Sequence, residues 1–329
     1  MRFEVPRPWR NPHLQTIWAA KLSQRAAVAW RHEPWQTPDG DVVTASWAGA
    51  TVPDTRPLLV LFHGLEGSAH SHYAQALAAE ALARGWDCVL PHFRGCGGAM
   101  NHAPRAYHSG DYAEIDWMLQ QAAQRYPSQP RLAVGVSLGG NALMLWAGTL
   151  GPAAVGRVRA VASVCSPLDL MASGAALERG VCRWIYTPMF LQTMRHKALA
   201  KHRQFPGLFD LQRAQRATTL RAFDDAFTAP VHGFAGVDDY WTRASAKPLM
   251  HQIVLPALAL NASDDPFVPV NSLPTVGEAG PRVVLVRTHH GGHVGYPSWD
   301  GGWRGHVRWM PEAVCDWLAP HATSELTHG

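Results

Sequence analysis

Residues 131–141 read RLAVGVSLGGN and carry the pattern G-V-S-L-G at 135–139 between two apolar segments. The run 131–136 is short and rich in Val, Leu and Ala, which is typical of a buried parallel strand, and the segment 138–148 predicts a helix. A serine at such a strand-to-helix turn is typical of a nucleophile elbow, where glycines let the strand and the helix approach closely. The stretch therefore predicts an α/β fold with Ser137 as a nucleophile. A serine that only caps the helix is the competing interpretation.

Strand and helix patterns alternate on both sides of this stretch. The predicted strands cover 27–32, 41–47, 57–62, 87–90, 131–136, 158–163, 253–260 and 282–286, and the other predicted helices cover 73–84, 112–125 and 306–318. This alternation predicts a mostly parallel, doubly wound sheet that begins with antiparallel N-terminal strands. Together with the nucleophile elbow, it predicts an α/β-hydrolase fold. The long interruption, about 168–250, predicts a helical lid insertion within a single domain that spans 1–329.

The segment 61–68, LFHGLEGS, ends the first predicted parallel strand. Folds with a nucleophile elbow take one oxyanion-binding amide from this loop and one from the residue after the serine. Here these amides are the backbone N–H groups of Leu65 and Leu138. His63 could act as a general base, but a histidine before a loop glycine more often braces the loop by hydrogen bonding.

A serine hydroxyl is a weak nucleophile at neutral pH, so a general base must reach it from the loop after the last strand. His293 is the predicted base, because it lies in the segment 288–295, THHGGHVG, whose glycines allow a sharply turned, exposed loop. His289 and His290 are alternatives that lie closer to the end of the predicted strand. The three histidines could instead bind a metal ion, although no acidic or cysteine cluster accompanies them in the sequence.

The acid that orients the base is expected in the segment 261–269, NASDDPFVP, which follows the predicted strand 253–260. Asp265 is the predicted acid, because it lies four residues before Pro269, a common spacing in this loop. Asp264 remains an alternative. The aspartate that does not orient the base is expected to cap or brace the loop.

Six segments, three of them described above, carry a family resemblance: NPHLQT (11–16), HGLEGS (63–68), HFRGCG (92–97), YHSGD (107–111), GVSLGG (135–140) and NASDDPF (261–267). Together with the order Ser137, Asp265, His293, which is the order known for α/β-hydrolases, they span nearly the whole chain. The sequence resembles the bacterial YheT-like hydrolases and their eukaryotic relatives in the ABHD1/ABHD3 and EMB8-like group. The segment 11–16 is expected to pack across the sheet edge or the mouth of a pocket.

The resemblance implies a serine hydrolase that cleaves carboxylic esters of short or medium acyl chains through an acyl-enzyme. Acyl transfer to an alcohol and the hydrolysis of thioesters or phospholipids are alternatives that the same Ser-His-Asp triad permits. From another class, the chain could be a non-catalytic ligand-binding protein on a hydrolase scaffold. The expected chemistry requires no cofactor and no metal ion.

Composition restricts the partners and the location. The 29 basic and 25 acidic residues leave a charge of only +4, which argues against nucleic acid as a partner. The resemblance implies a small-molecule ester or a lipid-like substrate instead. Neither a signal peptide nor a membrane-spanning run is apparent, and five cysteines without C-x-x-C spacing suggest a reducing cytoplasm. Basic residues in the insertion fit either peripheral contact with an anionic lipid surface or a solvated helix face. The oligomeric state is left open.

Overall fold

A computed structural model describes residues 1–52, 55–98, 100–299 and 305–323. Within them, one sheet of eight strands has the order β1-β2-β4-β3-β5-β6-β7-β8. The strands are β1 Arg31–Gln36, β2 Val42–Ala48, β3 Leu58–Phe62, β4 Asp87–Pro91, β5 Arg131–Val136, β6 Ala160–Val164, β7 Ala257–Ala262 and β8 Val283–Thr288. The pairs β1–β2 and β2–β4 are antiparallel, and every other pair is parallel. The prediction of a mostly parallel sheet with antiparallel N-terminal strands is confirmed.

Helices cover both faces of this sheet. They are α1 Pro12–Lys21, α2 His72–Ala83, α3 Tyr112–Arg125, α4 Leu138–Leu150, α5 Leu170–Leu177, α6 Gly180–Trp184, α7 Tyr186–Gln204, α8 Leu211–Arg216, α9 Leu220–Phe223, α10 Ala229–Val231, α11 Val237–Ala244 and α12 Trp309–Leu318. Among these residues, no helix has the length and apolar character needed to cross a membrane.

Strand β3 shows how the two faces are filled. Leu58, Val60 and Phe62 pack with the buried side chains of α3 and α4 on one face. Leu59 and Leu61 pack with those of α2 and α12 on the other. Because successive side chains of a strand point to opposite faces, a strand between two helical layers must be apolar throughout. All five residues of β3 are buried, which explains why its sequence is an uninterrupted apolar run.

The first predicted strand is wrong in its position. The apolar run 27–32 favoured a strand there, whereas β1 begins at Arg31 and contains Pro34. β1 lies at the edge of the sheet, where proline is tolerated, and its extent is determined by pairing with β2 in the register Arg31↔Trp47 to Gln36↔Val42. The position of β1 is therefore determined by its pairing with β2, which the local amino-acid composition does not reveal.

The helices α5–α11 lie between β6 and β7 and form the helical insertion. Its first helix begins at Leu170, and a short turn of helix at Lys247–Gln252 precedes β7. Part of it is a π-helical turn at Asp224–Thr228. Because β5, β6 and β7 are parallel neighbours, the loops at their carboxyl ends meet at one edge of the sheet, below this insertion.

Candidate active site

Ser137 occupies the turn between β5 and α4 with φ 54° and ψ −122°, a backbone conformation that residues other than glycine rarely adopt. The backbone is closely packed on both sides of this serine. A Cβ added at Gly135 would lie 2.5 Å from the Gly139 carbonyl oxygen, and one added at Gly139 would lie 2.5 Å from the His63 carbonyl oxygen. Only glycine fits at these two positions, so the strand and the helix can approach as a nucleophile elbow requires.

A hydrogen-bond chain links three of the residues singled out in the sequence. The Ser137 Oγ lies 3.0 Å from the His293 Nε2. The His293 Nδ1 lies 2.9 Å and 3.2 Å from the two carboxylate oxygens of Asp265. The serine follows β5, the aspartate follows β7 and the histidine follows β8, so three strand ends bring them together.

The Asp265 carboxylate is buried, with a side-chain exposure of 0%. Its Oδ1 accepts hydrogen bonds from the backbone amides of Phe267 at 2.8 Å and Val268 at 3.3 Å. The Phe267 ring packs against the His293 imidazole, with 4.2 Å between the ring centroids. The carboxylate and the imidazole are therefore held in one orientation by the loop that follows β7.

Asp264, the alternative acid, contacts a different set of groups. Its Oδ2 lies 3.0 Å from the His290 Nδ1 and accepts a hydrogen bond from the Gln15 side-chain amide at 3.1 Å. Its Oδ1 accepts a hydrogen bond from the Gly292 backbone amide at 3.0 Å. Asp264 thus ties the histidine-containing loop together. His289, the remaining alternative base, is exposed.

The two predicted oxyanion donors lie in the same cavity as Ser137 and His293, and Leu65 and Leu138 both line it. Among the described residues, neither backbone amide donates a hydrogen bond to a protein acceptor. The Leu138 amide begins α4, where the first N–H groups of a helix point outward without a partner in the helix. Both amides are available to an anionic oxygen.

The sequence pattern of the family described as alpha/beta hydrolase fold matches residues 57–298. This match contains the elbow, both acidic candidates and the histidine loop. The chain belongs to the α/β-hydrolase family.

Two curated relatives show to which group of the family this α/β-hydrolase is similar. The putative esterase YheT of Escherichia coli (strain K12) is 35% identical over 319 residues, which are 96% of this chain and 92% of the relative. Phospholipase ABHD3 of Mus musculus is 30% identical over 290 residues, which are 86% of this chain and 70% of the relative. The resemblance to the YheT-like and ABHD3-like group is confirmed.

Solved structures agree on the architecture of this α/β-hydrolase. The esterase Pf2001 of Pyrococcus furiosus superposes with a TM-score of 0.53 and 16% sequence identity, covering 91% of this chain and 98% of its own. At that identity the similarity shows the fold alone.

The cavity of this α/β-hydrolase lies between the sheet edge and the helical insertion. Apolar side chains from the insertion form much of its wall, namely Leu170, Leu177, Phe190, Met194, Leu220, Phe223, Phe227 and Trp241. Such a wall fits an apolar chain better than a charged ligand.

One ion pair joins the insertion to the loop 63–68 that follows β3. Lys197 on α7 donates to the Glu66 carboxylate at 2.8 Å, and its Nζ lies 3.1 Å from the Cys96 Sγ. Tyr107 donates to the same carboxylate at 2.7 Å and accepts from the Glu66 backbone amide at 3.0 Å. Glu66 directly follows Leu65 and has a positive φ of 56°, so these contacts hold the loop in a strained turn.

His63 braces the same loop. Its Nδ1 lies 2.8 Å from the Gly64 carbonyl oxygen, and its Nε2 accepts from the Phe93 backbone amide at 3.1 Å. Complete burial lowers the pKa of His63 to about 3, so the ring is neutral at physiological pH. Both nitrogens are occupied by the backbone, which agrees with the bracing interpretation.

Sequence reasoning missed helix α1, which packs on the histidine loop. Thr16 accepts from the His293 backbone amide at 2.9 Å, and Gln15 contacts Asp264. The Asn11 side chain caps the helix, and Pro12 occupies its first position. This pair is a local helix-start signal that could have predicted α1. Within the described residues, no group of three or more His, Cys, Asp or Glu side chains could hold a metal ion.

Proposed function

We propose that this α/β-hydrolase cleaves carboxylic esters with short or medium acyl chains through an acyl-enzyme on Ser137. In this mechanism His293 is the general base, Asp265 orients it, and the Leu65 and Leu138 amides bind the oxyanion. The observation that carries the proposal is the continuous hydrogen-bond chain of 3.0 Å and 2.9 Å from the Ser137 hydroxyl through the imidazole to the Asp265 carboxylate.

In each step one proton moves to or from the His293 Nε2, and Asp265 stays ionised. As the Ser137 Oγ attacks the ester carbonyl carbon, the His293 Nε2 takes its proton, while Nδ1–H remains bonded to Asp265. The protonated imidazole then gives this proton to the departing alcohol oxygen, and the acyl-enzyme remains. A water molecule attacks the acyl carbon by the same route, and the acid is released with Ser137 restored.

The oxyanion donors stabilise the charge that develops on the carbonyl oxygen. Loss of one donor in such a site typically costs roughly 3 kcal/mol of transition-state stabilisation. The Leu138 amide benefits from its position at the start of α4, since the helix dipole favours negative charge there. The Leu65 amide depends on the strained turn that Glu66 and its partners maintain.

The apolar wall of the cavity supports an acyl chain as the group bound beside Ser137. A relative named as an esterase and another named as a phospholipase are compatible with an ester or lipid-like substrate. A carboxylic ester within a phospholipid would react by the same steps.

The test is hydrolysis of p-nitrophenyl esters from acetate to decanoate by the wild type and by Ser137→Ala, His293→Ala and Asp265→Asn. Each variant should lose more than about 10³-fold in kcat, because the three groups act as one unit. His289→Ala is the matched control, since that histidine is an exposed neighbour outside the hydrogen-bond chain, and it should retain activity.

A wild type that is inactive on every chain length and unlabelled by a fluorophosphonate probe would overturn the proposal in favour of a binding scaffold. Equal losses in His289→Ala and His293→Ala would reject the assignment of the base.

A further inference from the structure

An exposed apolar surface lies at the junction of α6 and α7. Its members are Val181, Trp184, Ile185 and Met189, with exposures of 42%, 76%, 47% and 43%. Single exposed apolar side chains are ordinary on proteins, but contiguous ones mark interaction sites. A tryptophan is the largest apolar side chain, so leaving three quarters of it in water is unfavourable unless a partner covers it. These four residues are called the 181–189 surface below.

The same segment has an inner face that reaches the candidate active site. Cys182 and Tyr186 are buried with Phe267, and Phe190 packs against this cluster and lines the cavity. The ring of Tyr186 lies 4.6 Å from that of Phe267, which in turn contacts His293. Cys182 and Tyr186 are thus buried and Phe190 reaches the cavity, whereas Val181, Ile185 and Met189 in the same segment face the solvent.

The segment that carries this surface is basic, and Glu178 directly precedes it. From Arg179 to the residue before Asp210 the sequence contains no aspartate or glutamate. Arg179 and Arg183 are exposed and flank the apolar side chains, and the Arg183 guanidinium lies 5.6 Å from the centre of the Trp184 ring. Within the described residues, neither arginine forms a salt bridge. Tryptophan and arginine side by side are the composition of segments that lie at a bilayer surface.

We propose that the 181–189 surface docks onto an anionic lipid bilayer, with its apolar side chains in the interfacial layer and Arg179 and Arg183 against lipid phosphates. A second protein chain fits less well, because four side chains expose on the order of a few hundred Å², below the roughly 800 Å² per partner that stable protein interfaces bury. Docking there would bring the cavity wall formed by α7 next to the lipid. The delivery of a lipid-like ester to Ser137 rests on the proposed function, whereas the docking itself does not.

The experiment is co-sedimentation of the full chain with vesicles of phosphatidylcholine alone and of phosphatidylcholine mixed with phosphatidylglycerol. The wild type should bind the mixed vesicles more strongly. The double variant Trp184→Ser, Ile185→Ser should bind about tenfold or more weakly, since two large apolar side chains no longer enter the interface. Arg179→Gln with Arg183→Gln should lose the preference for anionic vesicles and the sensitivity of binding to salt.

The matched control is Leu22→Ser with Val276→Ser, which removes two apolar side chains of 72% and 85% exposure elsewhere on the molecule. It should bind vesicles as the wild type does. Unchanged binding by the Trp184 and Ile185 double variant, or no binding of the wild type to either vesicle, overturns the proposal. A wild type that sediments as a dimer, with this variant a monomer, also overturns the proposal, because the surface would then join two copies of the chain.

Two readouts separate this proposal from the proposed function. Turnover of p-nitrophenyl acetate should be the same in the wild type and in the Trp184 and Ile185 double variant, because this small ester needs no bilayer. Ser137→Ala should bind vesicles like the wild type. Vesicle binding without any turnover would support the docking surface while rejecting the esterase.

Discussion

The Thr16 hydroxyl oxygen accepts a hydrogen bond from the backbone amide of His293 at 2.9 Å. The same hydroxyl donates to the Pro12 carbonyl oxygen at 2.7 Å, so its orientation is fixed. Gly292 has a φ of +56°, and a Cβ there would lie 2.7 Å from the Pro12 carbonyl oxygen. Helix α1 therefore packs directly against the backbone of the histidine loop and determines where the imidazole stands.

Thr16→Val should lower kcat about tenfold with little change in KM. Valine has the same shape but cannot accept the His293 amide hydrogen bond, and an unsatisfied buried amide costs about 1–3 kcal/mol. Thr16→Ser, which keeps the hydroxyl, should restore most of the activity. Steady-state kinetics on a p-nitrophenyl ester measure both. Equal kcat values for the valine variant and the wild type would show that the histidine loop holds its position without this contact.

Substitution of Asp264 and of Asp265 should have very different effects on kcat. Asp265→Asn should lower kcat by about 10⁴-fold, as loss of the orienting carboxylate does in serine proteases. Asp264→Asn should lower kcat less than about tenfold and lower the melting temperature, because its contacts with Gln15, His290 and Gly292 hold the loop together. Kinetics and thermal unfolding of both variants provide the comparison. A larger kinetic loss in Asp264→Asn would reverse the assignment.

The ion pair between Lys197 and Glu66 should affect kcat/KM through the loop 63–68, which carries the proposed oxyanion donor Leu65. Lys197→Met keeps an unbranched apolar side chain but removes the ammonium group, while the hydrogen bond from Tyr107 to the Glu66 carboxylate remains. We expect kcat/KM to fall about tenfold, because removing one partner of a largely buried pair costs about 1–3 kcal/mol and loosens the turn that presents the Leu65 amide. Lys21→Met, at the exposed end of α1, is the control and should be neutral. If kcat/KM of Lys197→Met stays within twofold of the wild-type value, the contact from α7 does not contribute to oxyanion binding.

Asp224 should make the stability of the fold depend on pH. Burial raises the pKa of Asp224 from 3.8 to about 6, although the Thr228 hydroxyl and the Trp241 indole donate to it at 2.6 Å and 2.9 Å. Because the folded-state pKa lies above the unfolded value, the folded state binds more protons. Its contribution to stability is present at low pH and is lost as the pH rises through about 6.

The free energy of unfolding should therefore decrease by up to about 3 kcal/mol more in the wild type than in Asp224→Asn between about pH 4 and about pH 7. Urea unfolding of both proteins across this range measures the difference. If the free energy of unfolding of the two proteins depends on pH in the same way, Asp224 has an ordinary pKa in the folded chain.

Local sequence signals located most of the sheet and several helices. Helix α3 at Tyr112–Arg125 and strand β5 at Arg131–Val136 have the predicted bounds. Their signals act over a few residues: a repeat of apolar side chains that matches the helical turn, and a short apolar run between turn residues. The elbow at Ser137 is equally local, because its geometry depends on glycines within two positions of the serine.

The sequence by itself thus determined the fold class, the elbow and the loops from which a base and an acid could come. Only the tertiary structure decided that His293 meets both Ser137 and Asp265, while Asp264 meets His290 and Gln15 of helix α1. Adjacent residues have the same local propensities, but their side chains point in different directions once the loop is packed. Which one reaches the serine depends on contacts such as the one between Thr16 and His293, 277 positions apart in the chain.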